Sequence, residues 1–181
     1  MIPDINQKPR LLQNSEHIGR YADVAGRHIH YLEKGTGEPL ILIHSMGQSL
    51  FTWHRVIDSL SAQYRVFAVD LPGHGYSDKP VDEAAYSIGA VADVLVAFMD
   101  EMSLEKIDVV AFSMGSMIAL NMAARFSDRI GKLVLICPGG LTATMPRQIR
   151  FLENPLTGWL SAASISPKSI ASFLPSPNSI S

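Results

Sequence analysis

The sequence predicts a doubly wound α/β protein: a mostly parallel sheet with helices on both faces, preceded by an antiparallel hairpin. Two observations carry this. Short runs rich in Val, Ile and Leu recur along the chain, as expected of strands buried on both faces of a parallel sheet. Between them lie stretches whose apolar residues follow helical spacing, and that alternation is the pattern of a βα-repeat architecture.

Taken in order, residues 1–18 read as an irregular arm. "RYADVAGRHIHYLEKG" (20–35) alternates apolar and polar residues on either side of Gly26, which predicts a β-hairpin. "PLILIHS" (39–45), "YRVFAVD" (64–70), "KIDVVAFS" (106–113) and "GKLVLIC" (131–137) are the buried-strand runs. "LFTWHRVIDSL" (50–60), "SIGAVADVLVAFMDEM" (87–102) and "MGSMIALNMAARF" (114–126) are the helical stretches between them. The core therefore spans 19–140. From 141 to 181 the character shifts. Pro146 and Pro155 interrupt mixed helical signals, and the end is rich in Ser and Pro, so this part reads as the start of a cap or as an irregular tail.

Composition narrows the function. A chain of 181 residues, 47% hydrophobic and 18% charged, has the makeup of a single globular domain with a real core. Its net charge of −2 gives no electrostatic case for nucleic acid or for an anionic membrane surface. No stretch reaches the apolar length of a membrane span. The N-terminus lacks the apolar run of a signal peptide, and one cysteine, Cys137, excludes an intramolecular disulfide; a cytoplasmic location is the expectation. Neither metal-ligand spacing nor a Walker-type glycine loop is present, so no metal and no cofactor are expected.

One short stretch carries the chemistry. In "VVAFSMGSM" (109–117) a strand runs into Ser113 and then a helix, with small residues, Ala111 and Gly115, two positions to either side. That is the pattern of a nucleophile elbow, here A-x-S-x-G, in which a tight turn lifts the serine Oγ above the sheet at a helix N-terminus. There the Met114 N–H and the helix dipole can stabilise a developing oxyanion. The competing reading is that Ser113 merely caps the following helix.

Two further segments favour the elbow. "HSMGQSLFTW" (44–53) follows a buried strand and can aim a second backbone N–H, that of Met46, at a substrate carbonyl. "DLPGHGYSDKP" (70–80) follows the next strand. With these three segments in this order, the chain resembles the α/β-hydrolase fold family over about residues 20–140. In that family an H-G-x loop follows the third strand, a D-x-P-G-x-G-x-S loop the fourth and the serine elbow the fifth. Here Ser45 stands where the family usually has Gly.

The resemblance implies a serine hydrolase acting on an ester, thioester or carbon–carbon acyl bond of a small apolar substrate. Ser113 is the expected nucleophile, and the N–H groups of Met46 and Met114 the expected oxyanion hole. His44, Ser45, Met46, Met114, Leu141 and Trp159 are expected to line the substrate pocket, with plain packing of a cap as the competing reading for Trp159. The resemblance makes His44 and His74 loop-shaping residues rather than the catalytic base, and Asp70 a residue that fixes its loop by hydrogen bonding. His17, His28, His30 and His54 read as surface or packing residues. A nucleophile needs partners, and the family's order is Ser, then Asp or Glu, then His. This chain has no histidine after His74, and after the sixth strand its only carboxylate is Glu153. The expectation is an α/β-hydrolase fold incomplete at its C-terminus, whose triad is completed by a separate segment carrying the acid and the histidine. A catalytically silent small-molecule receptor or interaction module on the same scaffold is the alternative.

Overall fold

The computed structural model describes residues 19–138. The expected arm (1–18) and the cap or tail (141–181), with Leu141, Glu153 and Trp159, lie outside the described residues.

Six strands form one sheet in the order β1-β2-β4-β3-β5-β6. β1 (Arg20–Val24) and β2 (Arg27–Lys34) are the expected hairpin. Its two-residue turn puts Ala25 and Gly26 at φ 51° and 75°, the pair of positive values that a type I′ turn requires. Asp23 Oδ1 accepts the Gly26 N–H at 3.0 Å. β2 pairs antiparallel with β4 (Tyr64–Val69), and from there the sheet is parallel: β4 with β3 (Glu38–Ile43), β3 with β5 (Ile107–Phe112), β5 with β6 (Ile130–Ile136).

Strand periodicity sends alternate side chains to opposite faces, and each face has its own core. On one, Ile41, Ile43, Phe67, Val69, Val109 and Ala111 pack against α2 (Ile88–Glu101) and α3 (Met114–Arg125). α2 buries Val91, Ala92, Val94, Leu95, Val96, Phe98 and Met99, and starts at Ser87, whose Oγ accepts the Ala90 N–H. Each large apolar side chain so buried contributes roughly 1.5–3 kcal/mol. On the other face Leu40, Leu42, Val66 and Ala68 meet Trp53 and Ile57. Helical segments on both faces make the sheet doubly wound.

Two expectations are corrected. The helix expected over 50–60 is a 3₁₀ turn (Leu50–Trp53) followed by a short α1 (Ile57–Ser61). Its apolar face survives, since Leu50, Trp53, Ile57 and Leu60 all pack on the sheet. The hydrogen bonds Thr52 to Ser49, His54 to Phe51 and Val56 to Trp53 span three residues, however, and the aromatic and β-branched residues here are weak helix formers. β6, expected to be buried on both faces, leaves Val134 and Ile136 50% and 39% exposed. Among the described residues only β5 adjoins it and no helix covers that side.

Candidate active site

Parallel strands deliver their side chains to one edge of a sheet. Here the first residue beyond β3, β4, β5 and β6 is His44, Asp70, Ser113 and Cys137, so the chemically capable groups gather at the carboxyl ends of the strands. Ligands of open α/β sheets bind at that edge.

At Ser113 the chain still holds its ladder position, because its N–H donates to the Ile136 carbonyl at 2.9 Å. The backbone then takes φ 52° and ψ −113°, and α3 begins at once with Met114. A side chain at positive φ is crowded by its own backbone, at a cost of roughly 1–3 kcal/mol. No capping bond offsets that cost, for the Ser113 hydroxyl caps nothing. What holds the turn is its surroundings. Ser116 Oγ donates back to the Ala111 carbonyl at 2.9 Å, and the Ser116 N–H to Ser113 O at 2.9 Å. Ala111 is wholly buried between Ile43 and Leu135 on the neighbouring strands. Gly115 lies so close to β3 that a Cβ would sit 2.6 Å from the carbonyl oxygens of Ile43 and His44. The flanking-residue rule at this position is thus stricter than the sequence suggests: not even a methyl fits.

The loop after β3 faces that turn. Ser45–Gln48 is a turn closed by the Gln48 N–H on the Ser45 carbonyl (3.2 Å), with Gly47 at the positive φ, 70°, that a type II turn demands at its third position. Ser45, standing in for the family's glycine, is not among the residues at positive φ and so needs none of glycine's freedom there. It is buried, while Met46 on the turn is 60% exposed.

His44 is fully buried, and both ring nitrogens are in use. Nε2 accepts the Leu71 N–H (3.0 Å), which leaves Nδ1 as the protonated nitrogen, donating to the Ser45 carbonyl (2.7 Å). Burial, with His74 alongside, pushes its pKa down to about 4. A neutral ring whose lone pair is occupied acts as a strut between two loops, not as a base. His74, with its ring centroid 5.2 Å from that of His44, turns Nδ1 to the Pro72 carbonyl.

Asp70 organises the loop that it begins, and more besides. Its carboxylate, almost fully buried, accepts the Leu50 N–H (2.7 Å), the Tyr76 N–H (3.0 Å) and His30 Nδ1 (2.8 Å). Burial alone would raise its pKa, but these three donors together hold it below the ordinary carboxylate value. Ser77 completes the knot, giving its hydroxyl proton to Asp70 O (2.6 Å) and accepting the His30 N–H (2.9 Å). His30, read from the sequence as an ordinary surface or packing residue, is instead the buried hydrogen-bonding partner of Asp70, flanked by the rings of Tyr21 and Tyr76. The signal for it is non-local. The antiparallel register that pairs Tyr31 with Val69 sets His30 opposite Asp70, and no window of sequence reveals that register.

The fold therefore brings His44, Ser45, Met46, Ser113 and Met114 to one edge of the sheet, with the Asp70 loop beside them. Among the described residues no histidine or carboxylate is hydrogen-bonded to the Ser113 hydroxyl, and no helix is long and apolar enough to cross a membrane.

Comparison with known proteins agrees with this fold. Residues 38–162 match the family model described as alpha/beta hydrolase fold. The chain is 36% identical over 133 residues to the 2-hydroxymuconate semialdehyde hydrolase of Pseudomonas sp. strain CF600, covering 72% of this chain and 47% of that protein. It is 36% identical over 135 residues to the 2-hydroxy-6-oxo-6-phenylhexa-2,4-dienoate hydrolase of Comamonas testosteroni, covering 72% and 45%. Among solved structures, the enol-lactonase from Burkholderia xenovorans LB400 superposes with a TM-score of 0.60 at 30% identity, over 63% of this chain and 45% of that one. The chain spans between about a third and a half of the length of the curated relatives it matches.

Proposed function

This chain belongs to the α/β-hydrolase fold family, and from that premise we propose that it carries the nucleophile half of a serine hydrolase acting on an ester, thioester or carbon–carbon acyl bond of a small apolar substrate. One observation carries the reading: Ser113 is held at positive φ with a hydroxyl that caps nothing. Strain that persists without a structural benefit points to function. In this reading Ser113 Oγ attacks the substrate carbonyl, and its proton passes to a base. The oxyanion that forms is met by the N–H of Met114, which as the first residue of α3 has no intrahelical acceptor, and by that of Met46. Collapse of the adduct expels the leaving group with a proton and leaves an acyl-serine, which water hydrolyses. The relatives named 2-hydroxymuconate semialdehyde hydrolase and 2-hydroxy-6-oxo-6-phenylhexa-2,4-dienoate hydrolase, and the enol-lactonase, support acyl carbon–carbon and ester bonds as the substrate class.

Base and acid are assigned outside the described residues. His44 is neutral and doubly bonded, and His74 and His30 are turned to Pro72 and Asp70. A separate segment supplying a carboxylate and a histidine next to β6 completes the triad in this proposal. Met46, exposed beside the site, and Ser45 border the acyl pocket.

A fluorophosphonate probe tests the nucleophile. Labelling at Ser113 that is lost in Ser113→Ala is the expected result; without the base of the separate segment it proceeds only at the residual rate an oxyanion hole supports, several orders of magnitude below that of a complete triad. A folded protein that never labels, or that labels equally after Ser113→Ala, sinks the assignment and leaves a silent receptor on the same scaffold.

A further inference from the structure

The proposed oxyanion donor on Met46 sits on a loop, and loops are poor places for precise donors unless something fixes them. Two bonds fix this one. At its start, His44 Nε2 accepts the Leu71 N–H; at its end, the Leu50 N–H donates to Asp70 Oδ1. Both anchors are consecutive residues, Asp70 and Leu71, at the end of β4. Only the five residues 45–49 lie between the pins, and Met46 is the second of them. The anchor itself is immobilised from the far side by His30, by the Tyr76 N–H and by Ser77. Gly75 packs so tightly on the carboxylate that a Cβ there would overlap it.

We propose that Asp70 is a positioning residue: its carboxylate, locked by His30, fixes the end of the 44–50 loop and thereby the aim of the Met46 N–H at the developing oxyanion. The inference rests on the serine-hydrolase reading. Asp70 touches no substrate; it acts through the Leu50 amide. Such an effect belongs to the reacting state rather than to substrate capture, because the donor is used when the carbonyl oxygen becomes an oxyanion.

Two variants separate this role from mere support of the fold. Asp70→Asn keeps the volume and removes the charge. Leu50→Pro removes the one N–H, along with part of the Leu50 apolar packing, and leaves Asp70 and His30 intact. Proline is tolerated at the first position of a helical turn, and the preceding Ser49, at φ −152° and ψ 177°, already has the extended backbone that proline requires of its neighbour. The measurement is the rate of Ser113 labelling by an alkyl fluorophosphonate on the full 181-residue chain, as a function of probe concentration, with circular dichroism reporting the fold. The expected result in both variants is a maximal labelling rate lower by about tenfold or more, with the half-saturating concentration little changed, since small misplacements of catalytic groups cost rates of this order. A folded Leu50→Pro protein that labels at the parent rate overturns the proposal, whether or not Asp70→Asn folds. A parent chain that lacks even the slow Ser113 labelling an oxyanion hole supports without a triad base overturns the serine-hydrolase reading first and this inference with it, so the two failures are told apart by the parent.

Discussion

The turns that leave β4 and β5 lie at the same edge of the sheet, one on either side of β3, and they are built on opposite principles. At Asp70 the polar groups are saturated: both carboxylate oxygens, the backbone N–H and the carbonyl all have partners. At Ser113 the backbone is strained and, among the described residues, the side-chain hydroxyl caps nothing. A buried polar knot of the first kind defines a geometry, because each unsatisfied member would cost its full desolvation. A strained residue of the second kind gains nothing from its own side chain, so its backbone bonds and its neighbours must hold it. The contrast teaches where to look for function: beside the saturated knot, at the group that the knot leaves free.

The largest effect that probes this contrast is on the saturated side. Asp70→Ala removes the acceptor of three donors and leaves His30, the Leu50 N–H and the Tyr76 N–H to find others in a buried site. Breaking a buried pair from one side costs about 3–5 kcal/mol. Urea unfolding of the two proteins gives the difference. A loss below about 1 kcal/mol, typical of a surface pair, would mean that the knot is decorative and the contrast false.

The second effect is on the pH dependence of the same side. His44 titrates at about 4 in the folded chain against 6.5 for the free side chain, because burial disfavours its cation. Between those values the unfolded chain binds a proton that the folded one refuses, so stability is fully present above pH 6.5 and is lost as pH falls toward 4. The interval is worth on the order of 3 kcal/mol. His44→Gln keeps an acceptor for the Leu71 N–H and cannot titrate. The stability difference between parent and variant should therefore move by about that much between pH 7 and pH 4, to the parent's disadvantage in acid. Asp70 acts in a separate window. Its folded pKa is depressed, so its contribution is present above the ordinary carboxylate value of 3.8 and is lost only as pH falls below that through the folded value. If parent and variant lose stability in parallel from pH 7 to pH 4, His44 is not the buried neutral strut described here.

The two turns were not equally legible in the sequence. Ser113 could be found locally. A strand, a serine with small residues two positions away on either side and a helix are all contained in nine letters, and Gly115 is explained by a contact of that same turn with β3. The Asp70 knot could be found only in part. That Asp70 ties its own loop follows from its place after a strand, but its partners His30 and Leu50 are 40 and 20 residues away. Joining them requires the antiparallel register of β2 on β4 and the break of the 50–60 stretch into a 3₁₀ turn. Apolar periodicity saw the buried face of that stretch and could not see the break, since burial fixes the side chains that face the sheet and leaves the hydrogen-bond span open. β6 misled for a related reason: its composition reports apolarity, while burial depends on what lies beside it.

The smallest effect is the most pointed, because it has the opposite sign. Replacing a residue usually destabilises a protein, yet Ser113→Gly should stabilise this one. Glycine has no Cβ to crowd the backbone at φ 52°, so it relieves strain of roughly 1–3 kcal/mol. Against this stands the greater freedom of glycine in the unfolded chain, about 0.5–1 kcal/mol. The hydroxyl caps nothing, so no capping bond is lost, and the Ser113 N–H keeps its bond to the Ile136 carbonyl. The net gain should be about 1 kcal/mol, read as a higher urea midpoint with an unchanged slope. Ser113→Ala retains the Cβ and the strain, and should leave the midpoint where it was. If glycine lowers the midpoint, or alanine raises it as much as glycine does, then the conformation at Ser113 stores no strain, and the turn after β5 is no different in kind from the turn after β4.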